Sequence, residues 1–230
     1  MAPSSGRGND PTERRLKPKR GRKPSSARWL ARQISDLYVT AARDEGYRSR
    51  AAFKLSELDD RFRFLKQGGL VVDLGAAPGG WTQVAIERVG RGRVVAVDIN
   101  QMAPLDGAIV LELDAMAATA GADIVAAAGG RADAVLSDMA PAATGHRATD
   151  HLRVVALCEV AHEVAQSILA PGGAFVVKVY QGGAEAELLA RLKRSFDSVR
   201  HAKPPASRRE SAETYLVALG FRGSPPPPAL

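Results

Sequence analysis

The sequence predicts an α/β fold with a mostly parallel central sheet that is covered by helices on both faces. Three observations support it: six short β-rich runs, helical apolar spacing between most of them, and no internal repeat. Strands that alternate with helices need right-handed crossovers, which make neighbouring strands parallel. The predicted strands are LVVDL (70–74), VVAVDI (94–99), AIVLEL (108–113), AVLSDM (134–139), AFVVKVY (174–180) and TYLVAL (214–219).

Helical apolar spacing begins before the first strand. One example is the series Phe53, Leu55, Leu58 and Phe62. Later in the chain, the turn APGGAF (170–175) ends a helix before a strand, because Pro and Gly interrupt helical hydrogen bonding. The predicted helices are 27–45, 50–66, 79–89, 150–169 and 184–195.

The positive charge is concentrated at the start of the chain. Residues 1–32 hold ten Lys and Arg against two acidic residues, whereas the whole chain of 230 residues has a net charge of +7. We expect a disordered basic arm over 1–26, a single domain over 27–222 and a Pro-rich tail over 223–230, since the Gly-, Pro- and Ser-rich arm buries too little apolar surface to fold. The arm suits a polyanion, with nucleic acid the first candidate. A mitochondrial transit peptide and a solubilising tail are the alternatives.

Composition disfavours several classes of protein. The single Cys158 excludes an internal disulfide framework and a cysteine-based zinc site. We expect Cys158 to be a core residue and the protein to lie in a reducing compartment. No apolar run approaches the ~18 residues of a membrane span. The four His residues form no H-E-x-x-H pair, so no metal site is expected, and His151 and His162 are expected to decorate a helix. A cytoplasmic monomer is the resulting expectation.

The stretch VVDLGAAPGGWTQVA (71–85) predicts a ligand site. A strand, a glycine-rich turn and a helix follow one another, yet the turn matches neither the dinucleotide fingerprint nor the phosphate-binding loop. In parallel sheets the ligand crevice lies beyond the carboxyl ends of the strands. Four predicted strands carry a carboxylate at or just past that end, although helix capping is an alternative role for such residues. These carboxylates are Asp73, Asp98, Asp114 and Asp138.

The turn has no Lys and has acidic groups around it, so it suits a ligand with positive charge and hydroxyls better than a polyphosphate. S-adenosylmethionine has that chemistry, with a sulfonium, an amino group, a ribose diol and an adenine. Gly75 and Gly79 would let the backbone approach the ligand closely. Asp98 is placed to accept both ribose hydroxyls, and Asp114 to accept from the adenine amino group.

Four motifs in order, YRSRAAFKL, DLGAAPGGW, SDMAP and FVVKVYQG, resemble those of the FtsJ-type ribosomal RNA 2′-O-methyltransferases. The resemblance runs from about Tyr47 to Phe221. It implies a Rossmann-like methyltransferase fold that binds S-adenosylmethionine. It also implies a Lys-Asp-Lys-Glu tetrad, which falls on Lys54, Asp138, Lys178 and Glu213. The cofactor positions implied by the motifs are Gly79, Trp81, Asp98, Asp114 and Asp138. Ala142 departs from the pattern, since an Asn often follows the family's DMAP.

Lys178 is also notable without the resemblance, because it interrupts an apolar run in a predicted strand. A Lys in a sheet centre is unfavourable unless it is paired or functional, although a snorkelling side chain at the strand's end is an alternative. Burial and the cation Lys54 would favour a neutral amine, while Asp138 and Glu213 would favour a charged one. A neutral amine would serve as general base. Lys54 and Glu213 taken alone would be unremarkable.

Basic residues lie on both sides of this tetrad in the sequence and predict contacts with RNA. With 5% aromatic residues, backbone and 2′-hydroxyl contacts are favoured over base stacking. Arg61 and Arg63 are as easily explained by a solvated helix face. The predicted RNA-binding residues are Arg48, Arg50, Arg200, Lys203, Arg208 and Arg209.

The resemblance implies methylation of a ribose in RNA, with the A-loop uridine of 23S rRNA in the large (50S) subunit as the favoured target. A tRNA and a mitochondrial rRNA are the alternative substrates. A non-catalytic ribosome-assembly factor and a nicotinamide-dependent oxidoreductase are alternatives from other functional classes. The missing G-x-G-x-x-G motif and Lys178 in its strand argue against the oxidoreductase.

Overall fold

The structure is a computed structural model that describes residues 37–141, 147–180, 186–208 and 211–223. The predicted basic arm, Ala142, Arg209 and most of the predicted Pro-rich tail lie outside the described residues. The strands are β1 (Leu70–Leu74), β2 (Arg93–Asp98), β3 (Ala108–Glu112), β4 (Ala132–Ser137), β5 (Leu169–Tyr180), β6 (Phe196–Ala202) and β7 (Glu213–Phe221).

One seven-stranded sheet has the order β3-β2-β1-β4-β5-β7-β6. Strands β1 to β5 pair in parallel. Strand β7 lies between β5 and β6 and is antiparallel to both. Because β7 runs in the opposite direction, its first residue lies at the edge of the sheet where β1 to β5 end. This edge is called the carboxyl edge below.

Helices cover both faces of the sheet, as the sequence predicts. The apolar residues of the strands alternate between two clusters, one packed against α4, α5 and α6 and the other against α2 and α3. The helices are α1 (described over 37–44), α2 (Ala51–Phe62), α3 (Gly80–Val89), α4 (Ala120–Ala128), α5 (Arg147–Ile168) and α6 (Ala186–Ser195). Among the described residues no helix is both long and apolar enough to cross a membrane.

The predicted α/β class and the mostly parallel sheet are confirmed, and the bounds of individual elements differ. Strand β2 ends at Asp98, so the prediction that it continues into Ile99 was wrong, and Ile99 is exposed. The sequence analysis missed α4 and β6. The predicted turn 170–175 lies inside β5, where four residues bulge between the residues paired with Ala132 and Ala134.

Candidate active site

The carboxyl edge brings together residues that are far apart in the sequence. Lys178 is near the end of β5 and is paired with Tyr215 of β7, while Glu213, the first residue of β7, is paired with Tyr180. Asp138 immediately follows β4, the other neighbour of β5. Lys54, in the first turn of α2, approaches the same edge. The geometry thus collects the four residues of the predicted tetrad at one place.

The tetrad consists of two ion pairs. Lys54 Nζ lies 2.7 Å from Glu213 Oε1, and Lys178 Nζ lies 3.1 Å from Asp138 Oδ1. Lys178 Nζ also donates to the backbone oxygen of Asp138 at 2.6 Å. Both lysines are buried, with 8% and 6% of their surfaces exposed. Buried amines are tolerated when they are paired, and these two are.

Tyr215 connects the two ion pairs, a role that the sequence analysis missed. Its buried hydroxyl lies 2.9 Å from Asp138 Oδ1 and 3.1 Å from Glu213 Oε1 and shares its proton between them. Burial first, and then the charges of these carboxylates, raise the pKa of Tyr215 well above 10. The phenol therefore stays a neutral donor over the physiological range of pH.

Glu213 is held ionised by its neighbours. Burial alone would raise the pKa of this carboxyl, but the charge and hydrogen bond of Lys54 outweigh it, with help from Lys178 and Ser207, and the pKa is lowered. Ser207 Oγ donates to Glu213 Oε1 at 3.0 Å. One carboxylate oxygen thus faces an amine and two hydroxyls.

The glycine-rich turn between β1 and α3 lies beside the tetrad. Gly75 has φ 76°, and a Cβ there would lie 2.6 Å from Met139 Cγ. Gly79, the residue before α3, has φ 114°, and a Cβ there would lie 3.1 Å from Arg48 Cδ. Both positions therefore need glycine for conformation and for space.

Asp73 lies fully buried under this turn. Its Oδ2 accepts from Thr82 Oγ1 at 2.7 Å, while Oδ1 has no partner. Burial, above all, raises the pKa of Asp73 to about 7, with further raising by the charges of Asp138 and Asp98. An orphaned, fully buried carboxylate oxygen next to a glycine turn is a feature that a positively charged ligand would stabilise.

Asp98 and Asp114 make bonds to the backbone. Asp98 Oδ2 accepts from Ala77 N at 3.0 Å, and its Oδ1 accepts from Asn100 N at 2.8 Å. Asp98 thus ties the turn to the segment that follows β2. Asp114 is exposed and accepts from Met116 N at 2.9 Å, which closes a local turn. Each carboxylate keeps lone pairs for a further donor.

Trp81, one of the implied cofactor positions, is buried in α3. Its Nε1 donates to Ala51 O at 2.8 Å, and its ring packs 5.6 Å from the ring of Tyr215. The indole therefore fixes the start of α2, which carries Lys54, against the helix that follows the turn.

Two arginines of the YRSRAAFKL motif contact loops of the site. Arg48 donates to the carbonyl oxygens of Pro78, Ala103 and Pro104 at 3.2, 2.8 and 2.7 Å. Arg50 Nη2 donates to Ala206 O at 3.0 Å, next to the Ser207 that binds Glu213.

The remaining predicted RNA-binding residues that are described lie in β6 or in the segment between β6 and β7. Arg200 is exposed on β6, and Arg208 is exposed near the tetrad. Lys203 Nζ donates to Ser211 O at 2.6 Å. Burial, and then the like charge of Arg208, lower the pKa of Arg50.

Two other residues in α5 bear on the sequence analysis. Cys158 is buried, as expected, and its thiol donates to the backbone oxygen of Lys178 at 3.0 Å. The expectation that His162 decorates a helix surface was wrong. His162 is buried beside Phe175, and neither of its ring nitrogens is hydrogen-bonded. Burial lowers its pKa to about 4, so it is neutral at pH 7.

The arrangement can bind a proton and orient a hydroxyl. Two buried amines, two carboxylates and a phenol converge at one edge, next to the glycine-rich turn. Within the four described ranges no three His, Cys, Asp or Glu residues form a metal-binding group.

The chain is similar to known proteins along most of its length. The model of the family described as FtsJ-like methyltransferase matches residues 47–221. A protein of Xanthobacter autotrophicus named ribosomal RNA large subunit methyltransferase E is 53% identical over 225 residues, which cover 96% of this chain and 89% of that protein. A protein of the same name from Paramagnetospirillum magneticum is 57% identical over 91% of this chain and 88% of its own.

Solved structures share the fold. A structure described as a ribosomal RNA methyltransferase from Plasmodium falciparum is 30% identical with a TM-score of 0.68, and the match covers 77% of this chain and 100% of that one. The fibrillarin/Nop5p complex gives a TM-score of 0.53 at 17% identity, over 74% of this chain and 83% of that one, which shows the fold alone.

Proposed function

Since the chain belongs to the FtsJ-like methyltransferase family, we propose that it transfers a methyl group from S-adenosylmethionine to a ribose 2′-hydroxyl of ribosomal RNA. The favoured target is the A-loop uridine of 23S rRNA in the 50S subunit. The observation that carries this proposal is the pair of buried ion pairs, Lys54–Glu213 and Lys178–Asp138, at the ligand edge of the sheet.

The substrate class is supported by the relatives. Proteins that align with more than 90% of this chain at 52–57% identity are named ribosomal RNA large subunit methyltransferase E. They come from bacteria, where ribosomes assemble in the cytoplasm, and this supports a cytoplasmic location and a large-subunit RNA partner.

The residues around the glycine-rich turn fit S-adenosylmethionine. Gly75 and Gly79 give the turn two positive φ angles, the buried Oδ1 of Asp73 has no hydrogen-bond partner, and Asp98 keeps accepting capacity at the end of β2. Asp98 would hold the ribose diol, and Asp114 the adenine amino group. Neutral and cationic donors of this cofactor match a set of carboxylate acceptors better than a polyphosphate does.

Bound S-adenosylmethionine would supply an activated methyl group on a sulfonium. The protein's task is to align the 2′-hydroxyl and to remove its proton. Lys178 is proposed as the proton acceptor. A neutral Lys178 amine has two N–H groups for its two Asp138 acceptors, the backbone oxygen and Oδ1, and one lone pair left for the hydroxyl proton.

The other three members orient this amine. Asp138 fixes its position through two oxygens, and Tyr215 holds the carboxylate of Asp138. Lys54 stays paired with the ionised Glu213. Glu213 in turn balances the charge of Lys54.

RNA would bind over the tetrad. Arg50 and Arg208 are like charges close to each other, and a phosphate between them would relieve their repulsion. Arg200 and Lys203 extend the basic side along β6 and the segment after it. The basic arm and Arg209, which lie outside the described residues, are proposed to add phosphate contacts.

The test is methyl transfer with mapping. The protein is incubated with labelled S-adenosylmethionine and, in parallel, 50S subunits, free 23S rRNA and tRNA, and the labelled nucleotide is located. We expect one 2′-O-methyluridine in large-subunit RNA and none with Lys178→Ala. If tRNA is the only RNA that becomes labelled, the substrate is a tRNA and not large-subunit RNA. Cofactor binding without transfer to any RNA would favour the assembly factor, and binding of NADH in place of S-adenosylmethionine would favour the oxidoreductase.

A further inference from the structure

The Arg48 guanidinium spans two loops that border the glycine-rich turn. Nη1 donates to Pro78 O, in the turn itself, and to Ala103 O, while Nη2 donates to Pro104 O. Pro78 precedes α3, whereas Ala103 and Pro104 belong to the segment 99–107 between β2 and β3. That segment contains no helix or strand. One side chain thus joins an irregular segment to the turn.

The starting point of this side chain is fixed by α3. Arg48 N donates to Gln83 Oε1 at 2.7 Å, and Gln83 Nε2 donates to Gly46 O at 3.0 Å. A single carboxamide therefore holds the backbone on both sides of Tyr47 against the first half of α3. Because that backbone is held, the direction from which the guanidinium reaches the two loops is set.

Gly79 makes this path available. A Cβ at Gly79 would lie 3.1 Å from both Cδ and Nη1 of Arg48 and 3.3 Å from Met102 Sδ. The stem of Arg48 therefore lies directly over the turn and next to a residue of the segment 99–107. A side chain at position 79 would compete with Arg48 for the same space.

Asp98 joins the same two loops from the end of β2. It accepts from Ala77 N, in the turn, and from Asn100 N, in the segment after β2. The turn and the segment 99–107 are thus connected twice, once by a carboxylate and once by a guanidinium. Asp98 is the residue proposed to hold the cofactor's ribose, so the two connections enclose that position.

We infer that Arg48 is a positioning residue of the cofactor site, which holds the segment 99–107 against the glycine-rich turn so that the adenosyl part of the cofactor meets a closed frame. The inference rests on the proposed function for the identity of the cofactor. It assigns Arg48 a role other than the RNA contact that its position in a basic motif predicts. The RNA-facing role passes to Arg50 and Arg208.

Substitution by Lys separates the two roles. An RNA phosphate needs a positive charge, which Lys retains, whereas the three carbonyl oxygens need a planar fork with several N–H groups, which Lys lacks. A contact with phosphate would therefore survive Arg48→Lys in large part. The connection between the loops would be lost in Arg48→Lys nearly as fully as in Arg48→Met.

The experiment compares Arg48→Lys, Arg48→Met, Arg208→Met and the exposed surface control Arg43→Met. Calorimetry without RNA gives the Kd of S-adenosylmethionine, filter binding at several salt concentrations gives the Kd of 23S rRNA, and steady-state assays give both KM values. For both Arg48 variants we expect the cofactor Kd and KM to rise about tenfold, equivalent to ~1.4 kcal/mol. The RNA Kd and its salt slope should stay within about twofold of the unsubstituted protein. Arg208→Met should show the reverse pattern, and Arg43→Met neither.

Amide hydrogen exchange on the protein without cofactor gives a readout independent of the proposed function. We expect faster exchange in 99–107 and in the turn for Arg48→Lys and Arg48→Met, with β5 and β7 unchanged. Wild-type cofactor affinity in Arg48→Lys, or a lower RNA affinity with unchanged exchange, would overturn the inference. If the unsubstituted protein binds no S-adenosylmethionine, the proposed function fails, and the exchange result alone decides whether Arg48 holds the loops. Should Arg48→Met not fold, Arg48→Lys decides.

Discussion

The two halves of the carboxyl edge hold their carboxylates in different ways. On the glycine-rich side, Asp98 and Asp114 accept from backbone N–H groups of nearby loops. On the tetrad side, Asp138 and Glu213 accept from amines and hydroxyls of side chains, most of which are distant in the sequence. The first half is organised by main-chain geometry and the second by side-chain charge. Substitutions in the first should therefore change ligand affinity, and substitution of the amine Lys178 in the second should change the rate and leave cofactor affinity unchanged.

The largest effect is expected at Lys178, and it tests the tetrad half. Lys178→Arg keeps the positive charge but cannot lose a proton near neutral pH, so the single-turnover rate should fall by about 10²–10⁴-fold. The Kd of S-adenosylmethionine should change by less than about threefold. Rapid-quench kinetics and calorimetry measure the two quantities. Lys193→Arg, at an exposed position in the last turn of α6, is the matched control. A fully active Lys178→Arg protein would remove the general-base role and leave alignment as the source of the rate.

Glycine 75 tests the claim that the other half depends on main-chain geometry. Gly75 and Gly68 have the same φ of 76°, but a Cβ at Gly68 meets nothing within 4 Å, whereas one at Gly75 meets Met139. Gly68→Ala should lower the free energy of unfolding by about 1–2 kcal/mol through backbone strain alone. Gly75→Ala should lower it by about 1–3 kcal/mol more through overpacking, and weaken cofactor binding as well. Urea denaturation and calorimetry give both values. Equal losses in the two variants would show that the turn tolerates a side chain.

Asp98 tests the same half through its ligand. Asp98→Ala should weaken S-adenosylmethionine binding by about 1.5–3 kcal/mol for each charged hydrogen bond lost. Single-turnover rates at saturating cofactor should fall far less than in Lys178→Arg. The exposed Asp44→Ala is the control for net charge. Unchanged affinity in a folded Asp98→Ala protein would remove Asp98 from the cofactor site, and a collapse of the saturated rate would contradict the division between the two halves.

The effect expected at Asp73 is a dependence of stability on pH. The pKa of this carboxyl rises from 3.8 to about 7 on folding. Between these two pH values the folded state keeps a proton that the unfolded chain loses. The protonated Asp73 carboxyl contributes to the stability of the folded state below pH 4, and this contribution is lost as the pH rises towards 7. Relative to Asp73→Asn, the free energy of unfolding should fall by up to ~1.4 kcal/mol per pH unit in that window. Urea denaturation at four pH values measures this difference, in which the opposite contribution of Glu213 cancels. A constant difference would show that Asp73 is ionised throughout.

The sequence predicts the fold well because the strands are apolar and the turns are explicit. The strands β1, β5 and β7 are buried along most of their length, and their apolar composition predicts this burial. Strand β6 has the sequence FDSVRHA, in which only Phe196 and Ala202 are buried, so no pattern marks it. It forms because β7 presents a free edge, and that edge is a property of the assembled sheet.

The sequence predicts the charged residues of the candidate site, but it does not predict the hydrogen bonds that connect them. A Lys within an apolar strand is visible in the sequence, and so are carboxylates at strand ends. The phenol of Tyr215 binds Asp138, and the guanidinium of Arg48 binds Ala103, each more than 20 residues away. An aromatic residue in a strand or an arginine in a basic motif predicts only a core position or a surface charge. Sequence shows which groups are present, but only the folded geometry shows which group each one binds.

The position of β7 in the sheet has a consequence for how the protein is made. This strand follows the other six in the chain, yet it fits between β5 and β6, which are already synthesised. A nascent chain that has emerged as far as β6 carries the glycine-rich turn, Lys54, Asp138 and Lys178. It lacks Glu213, and the edge of β5 is unpaired. Pairing between segments that are distant in the sequence is slow, and the strand edges stay exposed until it is complete. The proposed catalytic tetrad is therefore completed in one late step, when β7 inserts between β5 and β6 and completes the described sheet.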